Sequence, residues 1–137
     1  MKDQVLSISQ MRHLRDLGVD TSKASMCWLR EPNNHTRYEV FVHDDDCYEM
    51  SCLDPVPTFT LQDLLNIIPS RVLSKSNEVF SLRIERYIDG WEVYYGTTED
   101  SDGSKLFTPI DRDTLLEAAY NMLCYLAENK LLEKEGK

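Results

Sequence analysis

The chain has 137 residues, with an apolar fraction of 42%, a charged fraction of 28% and a formal net charge of −9. Its length and composition are typical of one folded domain with its own core, and they argue against extended disorder. The negative charge argues against direct nucleic-acid binding, because such binding relies on Lys and Arg to replace the counterions of the phosphates. We predict a single domain over residues 1–137, with a tail that frays from about residue 131.

The amino terminus lacks the apolar run of a signal peptide, and no segment has the roughly eighteen apolar residues of a membrane helix. The four cysteines, Cys27, Cys47, Cys52 and Cys124, form no C-x-x-C pair and no zinc-finger spacing with a histidine. We therefore expect a cytoplasmic protein with reduced thiols and no membrane association. By spacing alone, a disulfide between Cys47 and Cys52 is the alternative.

Two short helices are predicted in the first half of the chain. Ser7, with a glutamine three positions later, is the pattern of a capping box, and Gly18 marks the end of the helix that it starts. Thr58 or Thr60 is the predicted N-cap of a second helix over 61–68, which the following proline terminates. A polar loop follows that proline.

A hairpin is predicted between these helices. Residues 24–29 and 37–43 are rich in Val, Phe, Tyr, Trp and Cys, and they flank a cluster of turn residues at 31–34. Residues 44–46 are predicted to form a turn, and residues 47–50 a third strand.

A second hairpin is predicted from residues 79–88 and 91–97, which flank Asp89-Gly90, the strongest short hairpin signal in the chain. The expected pairs are Ile88 with Trp91, Arg86 with Val93 and Ile84 with Tyr95. The face predicted to form the centre of the core, interrupted by Arg86, contains Phe80, Leu82, Ile84, Ile88, Trp91, Val93 and Tyr95.

The carboxy-terminal part is predicted to contain an edge strand at 105–108 and then a long helix, capped by Asp111 or Asp113, that runs to about Asn129. Apolar residues cover more than half of this helix, which is wider than one sheet contact requires. We therefore expect a homo-oligomer that associates through the helix. The predicted class is α+β, a mostly antiparallel sheet of hairpins packed against this helix and the two shorter ones.

Two groups of residues are candidates for chemistry. Asp44, Asp45 and Asp46 follow His43, and these groups suit divalent ions, but adjacent residues do not converge on one ion and no EF-hand spacing follows. Cys124 is predicted to lie among polar residues of the last helix, where the carboxylates nearby raise its pKa instead of activating it. Glycine-rich phosphate loops are missing from the sequence. We predict no catalytic residue, no metal and no cofactor.

An interaction surface is the remaining candidate. Tyr87 and Tyr94 are predicted to share the face of the second hairpin opposite to the core, and Asp44, Asp45 and Asp46 lie in one of two acidic stretches without Lys or Arg. We predict that these residues contact a protein partner.

Three segments resemble a known family: residues 56–65 (VPTFTLQDLL), the pattern Trp91-x-Val93-x-Tyr95-Gly96 and residues 115–126 (LLEAAYNMLCYL). They are similar to small proteins of gut Bacteroidetes and of their prophages and mobile elements. The resemblance covers most of the chain, and it implies an accessory gene product of a bacterium or phage. The family has no assigned activity, so the resemblance transfers no functional residue.

The leading hypothesis is thus a non-enzymatic protein-interaction protein. The alternative is an acidic nucleic-acid mimic that inhibits a host nucleic-acid-binding protein, for which carboxylates must be spaced like phosphates on one face. A third hypothesis is a small enzyme whose site has no sequence motif.

Overall fold

A computed structural model describes residues 4–31, 34–42, 55–73, 79–96, 110–112 and 114–132 of the chain. The elements in chain order are α1 (Ile8–Asp16), β1 (Met26–Glu31), β2 (Asn34–Val42), β3 (Val56–Thr58), α2 (Leu61–Ile67), β4 (Arg71–Leu73), β5 (Val79–Tyr87), β6 (Gly90–Gly96), β7 (Ile110–Arg112) and α3 (Leu115–Glu128). The strands form two antiparallel sheets, in the orders β2-β1-β3 and β4-β5-β6-β7, so the α+β class is confirmed. The chain groups into two compact units, Met1–Leu64 and Leu65–Lys137, and the single domain stays a prediction.

Helix α1 begins and ends where the sequence predicts, because both ends are determined locally. The Ser7 hydroxyl accepts the Gln10 N–H at 3.1 Å, and the Gln10 side-chain oxygen accepts the Ser7 N–H at 2.9 Å, which completes the capping box. Gly18 follows the helix with a φ of +92°, a left-handed conformation that glycine adopts without steric cost. Met11 and Leu14 form the buried face of the helix.

The first sheet has β1 at its centre, and its predicted hairpin of β1 and β2 is confirmed. Cys27 of β1 lies opposite Phe41 in β2 and Pro57 in β3. Pro57 is tolerated because β3 is an edge strand, where a missing N–H breaks no central ladder. Cys27 and Leu29 are buried together.

The segment before α1 is held by the backbone of Leu6. Its carbonyl accepts the Trp28 indole N–H at 2.9 Å and the Thr58 hydroxyl at 2.7 Å, and its N–H donates to the Phe59 carbonyl at 3.0 Å. Leu6, Thr58 and Phe59 are fully buried. These bonds therefore satisfy polar groups that burial would otherwise make costly.

Of the two caps proposed for α2, the structure selects Thr60. Its hydroxyl accepts the Asp63 N–H at 3.2 Å, while the Asp63 carboxylate accepts the Thr60 N–H at 3.0 Å. The helix ends at Ile67, just before Pro69.

The second sheet begins with β4, in a segment that we predicted as polar loop, so that prediction is wrong. Its central residue, Val72, is buried between two exposed neighbours, a pattern too short to recognise in sequence. At the centre of the sheet, Tyr95 of β6 is fully buried and donates its hydroxyl to the Pro69 carbonyl at 2.5 Å.

The second hairpin forms, but in a different register from the predicted one. Its turn is Ile88–Asp89, and Gly90 is already the first residue of β6. The observed pairs are Tyr87 with Gly90, Arg86 with Trp91, Ile84 with Val93 and Leu82 with Tyr95. An Asp-Gly turn of the predicted kind needs positive φ at both turn residues. In the described part of the chain only Gly18 and Lys130 have a positive φ, so Asp89 and Gly90 do not form that turn.

This register corrects part of the predicted core face. Phe80, Val93 and Tyr95 are buried as expected, but Ile84 is 37% exposed and Ile88, at the turn, is fully exposed. The turn lies one residue earlier in the chain than predicted, so each strand residue is paired with a residue two positions away from its predicted partner. Because side chains alternate with a period of two, each strand residue stays on its predicted face. Ile88, however, becomes a turn residue and leaves the sheet.

Helix α3 is capped by Thr114, whose hydroxyl accepts the Glu117 N–H at 3.2 Å. The predicted cap Asp111 is wrong, because that residue belongs to strand β7, and Asp113 lies outside the described residues. The helix ends at Glu128 after 14 residues, and it packs against β6 and β7.

The apolar face of α3 is mostly buried. Its buried residues are Ala118, Ala119, Met122, Leu123, Cys124 and Leu126. The prediction that Cys124 lies in the polar stripe is therefore wrong: it is 8% exposed. No helix in the described ranges is long and apolar enough to cross a membrane.

Several predictions fall outside the described residues and stay predictions. They concern the third strand at 47–50, the edge strand at 105–108, the disulfide alternative and the tail beyond residue 132.

Candidate interaction face on the second sheet

One face of the β5–β6 hairpin carries two tyrosines and two glutamates, which we call the Tyr–Glu face. Glu85 and Tyr87 belong to β5, and Glu92 and Tyr94 belong to β6. Side chains alternate along a strand, so these four lie on the face of the hairpin opposite to Phe80, Val93 and Tyr95. Glu85 and Glu92 are direct cross-strand partners.

Hydrogen bonds join all four side chains. The Tyr87 hydroxyl lies 3.0 Å from a Glu92 oxygen and 3.2 Å from a Glu85 oxygen, so it has two carboxylate acceptors within hydrogen-bond distance. The Tyr94 hydroxyl donates to the second Glu85 oxygen. Like charges directly opposite each other destabilise a sheet, and phenol donors placed beside both carboxylates offset that repulsion.

The carboxylates in turn keep the phenols protonated. The pKa of the Tyr87 phenol is raised, first by its hydrogen bond to Glu92, then by burial and by its bond to Glu85. The pKa of the Tyr94 phenol is raised in the same direction, with the hydrogen bond to Glu85 as the main cause. A phenolate at either position would face negative charge without a proton to share.

The two tyrosines differ in access. Tyr87 is 44% exposed, whereas Tyr94 is 8% exposed. The Tyr94 ring lies over Gly96, where an added Cβ would be 3.2 Å from the ring carbon Cε2. The Tyr94 ring is therefore fixed between Gly96 and Glu85, and Tyr87 is the tyrosine of the Tyr–Glu face that solvent reaches.

The arrangement has the chemistry of a surface that receives a cationic or hydrogen-bonding group. Two carboxylates provide acceptors, and Tyr87 provides an accessible ring beside them. Glu85 is exposed and Glu92 is half-buried, so solvent reaches both residues.

The predicted surface residues have different outcomes. Tyr87 and Tyr94 share one face, as predicted. Asp44, Asp45 and Asp46 lie outside the described residues, so their part in the surface stays a prediction. The nucleic-acid mimic stays a prediction too. Of the carboxylates that it would need on one face, only Asp89 is described, at the exposed turn; the others are Asp44, Asp45, Asp46, Asp54 and Asp100.

Sequence reasoning missed Glu85 and Glu92. Their signal was present, because period-two alternation puts residues 85 and 87, and residues 92 and 94, on one face in either register. The predicted register paired each glutamate with a tyrosine, whereas the observed one pairs the glutamates with each other.

The two thiols in the described part of the chain are buried, and the metal candidate at residues 43–46 lies outside that part. Burial raises the pKa of the Cys124 thiol, the Tyr120 hydroxyl lowers it by a hydrogen bond and Glu128 raises it by charge. Cys27 is buried as well. Within the described ranges, no three His, Cys, Asp or Glu side chains come together to hold a metal ion.

Comparison of the chain with protein-family models, with curated proteins and with solved structures found no match. A functional assignment therefore depends on the geometry of the chain's own residues.

Proposed function

We propose that the chain is a small non-enzymatic accessory protein that binds another protein through the Tyr–Glu face. The observation that carries this proposal is the hydrogen-bonded set of Glu85, Tyr87, Glu92 and Tyr94 on one side of the hairpin. A tyrosine side chain provides a large contact area, and its ordering costs little conformational entropy because it has few rotatable bonds. Because the cluster is already ordered, binding requires little further ordering of these side chains.

The partner that fits this face is basic. Two carboxylates at the centre of the face accept hydrogen bonds from Lys or Arg, and the net charge of −9 accelerates encounter with a positive surface. The partner's cation would contact the carboxylates of Glu85 and Glu92 beside the accessible Tyr87 ring.

The test is capture of partners from host lysate with the native chain and with two charge-matched variants. The face variant is Glu85→Gln with Glu92→Gln, and the control is Glu117→Gln with Glu128→Gln, which removes two exposed carboxylates from α3. We expect one basic protein, captured by the native chain and the control but not by the face variant. With that protein purified, the face variant should bind at least about tenfold more weakly. Equal affinity of a folded face variant would contradict the proposal.

The remaining expectations are proposals as well. They are an origin as a bacterial or phage accessory gene product, a cytoplasmic location, a single domain over residues 1–137, and a homo-oligomer formed through α3. Since most of the apolar residues of α3 are buried, the self-association surface would be its half-buried tyrosines, Tyr120 and Tyr125. Sedimentation velocity at rising concentration tests the oligomer.

A further inference from the structure

The outer side of β5 is paired over only part of its length. In the described part of the chain, β4 pairs with Val79–Ser81, and Leu82 adds one bond from its N–H to the Ser70 carbonyl at 2.9 Å. Strand β6 pairs with the other side of β5 as far as Tyr87. Residues 83–87 therefore form an edge beside which no described strand lies.

The direction of the backbone groups on this edge follows from Leu82. Its N–H points outward, to Ser70, and backbone groups along a strand repeat their direction every second residue. The N–H and C=O groups of Ile84 and Arg86 therefore also point outward, and no hydrogen bond to them is found among the described residues. Ile84 is 37% exposed.

The described neighbouring side chains do not cover this edge. The Arg86 guanidinium lies 5.6 Å from the centre of the Trp91 ring, so this side chain is turned toward β6. The Glu85 carboxylate is likewise turned toward β6, where Tyr94 donates to it. Two donors and two acceptors are thus presented in extended geometry, which is the template that an added strand uses.

A second copy of the chain fits this edge poorly. An antiparallel pair that used all four backbone groups would place Ile84 opposite Arg86 of the other copy, and the two Glu85 residues opposite each other. Like charges at directly opposed positions are destabilising. The same Glu85 favours a strand with Lys or Arg at that position.

We propose that residues 83–87 receive an extended basic segment of a partner protein as an additional strand. Its backbone pairs with Ile84 and Arg86, its Lys or Arg lies opposite Glu85, and an apolar residue lies opposite Ile84. This inference rests on the proposed function, and it assigns the recognition mode to strand addition instead of side-chain contact alone.

The test uses a capped peptide of alternating Val and Lys as the probe. Three measurements on the full chain are made: peptide affinity, amide hydrogen exchange at Ile84 and Arg86, and the affinity of the same peptide N-methylated at the amides that would face β5. N-methylation retains the charge but removes the donors. We expect slower exchange at both amides, about tenfold weaker binding of the N-methylated peptide, and about fivefold weaker binding by Glu85→Gln. Glu117→Gln, the matched control, should bind normally.

The outcomes separate the two proposals. If Glu85→Gln weakens binding while N-methylation has no effect and both amides exchange as before, strand addition is wrong and the Tyr–Glu face still binds a basic partner. If the peptide binds the native chain no better than a Val–Glu peptide does, strand addition by a basic segment is wrong. Slower exchange at both amides, together with sensitivity to N-methylation and to Glu85→Gln, supports it.

Discussion

The Asp63 carboxylate in α2 accepts hydrogen bonds from both the N–H of Ser25, at 3.0 Å, and its hydroxyl, at 2.7 Å. The same oxygen accepts the Thr60 N–H that starts the helix. One side chain therefore caps a helix and holds the segment just before β1, although Ser25 and Asp63 are 38 positions apart. Burial acts to raise the pKa of Asp63, but the bonds from Ser25 and Thr60 outweigh it and lower the pKa below 3.8.

Replacement of Asp63 should destabilise the chain. Asp63→Ala loses three accepted hydrogen bonds, and we expect a loss of about 2 kcal/mol in the free energy of unfolding. Because the folded-state pKa is lowered, the contribution is complete above the unfolded-state pKa and is lost as the pH falls through the folded-state pKa. Asp63→Asn should therefore show less acid destabilisation than the native chain. Urea titrations at pH 7 and at successively lower pH values check this, with Asp16→Ala, at an exposed site, as the control. Equal losses in the free energy of unfolding for Asp63→Ala and Asp16→Ala would contradict the prediction.

The Tyr–Glu face predicts the alkaline titration of the tyrosines. Glu85→Gln removes the negative acceptor of Tyr94, so the pKa of Tyr94 should fall toward 10.0, while Tyr87 retains Glu92. Ultraviolet difference spectra against pH measure the shift, and Tyr94→Phe identifies the signal. In the native chain the raised pKa values stabilise the fold below pH 10.0, and this stabilisation is lost as the pH rises above it. An unchanged titration in folded Glu85→Gln would contradict the hydrogen bond.

Gly96 should resist substitution because of Tyr94. A Cβ at this position would lie 3.2 Å from Cε2 of a ring that Glu85 fixes. We expect Gly96→Ala to cost about 1 kcal/mol of stability, since the ring has little freedom to move. The matched experiment is the same substitution in Tyr94→Phe, whose ring is no longer fixed by the hydroxyl. A smaller loss in that background supports the contact, and an equal loss argues against it.

Thr114 should be the functional cap of α3. Thr114→Ala removes the acceptor of the Glu117 N–H, and we expect a loss of about 1 kcal/mol. Thr114→Ser retains the hydroxyl and should be close to native. Thermal unfolding measures both variants, and identical melting temperatures for Thr114→Ala and the native chain would show that another group caps the helix.

The correct sequence predictions concern features whose partners lie within a few residues. The capping box of Ser7 and Gln10 and the stop at Gly18 are local, so the bounds of α1 were predictable. The alternation of β5 and β6 was also local, and it placed Tyr87 and Tyr94 on one face. The prediction that Asp111 caps α3 is wrong because several residues near the start of the helix have side chains that can cap it. Asp111 lies in strand β7, and the helix starts later, after its cap residue Thr114.

The sequence by itself determined the α+β class, the bounds of α1 and the face on which each residue of β5 and β6 lies, because capping and side-chain alternation act between residues that are close in sequence. Tertiary structure decided the turn at Ile88–Asp89, the pairing of Glu85 with Glu92 and the bond between Ser25 and Asp63. The register of a hairpin depends on many weak cross-strand contacts. Two registers that differ by two residues place the same side chains on the same faces, so the alternation pattern in the sequence cannot distinguish them. A bond across 38 positions has no local signature, since each partner alone is an ordinary polar residue.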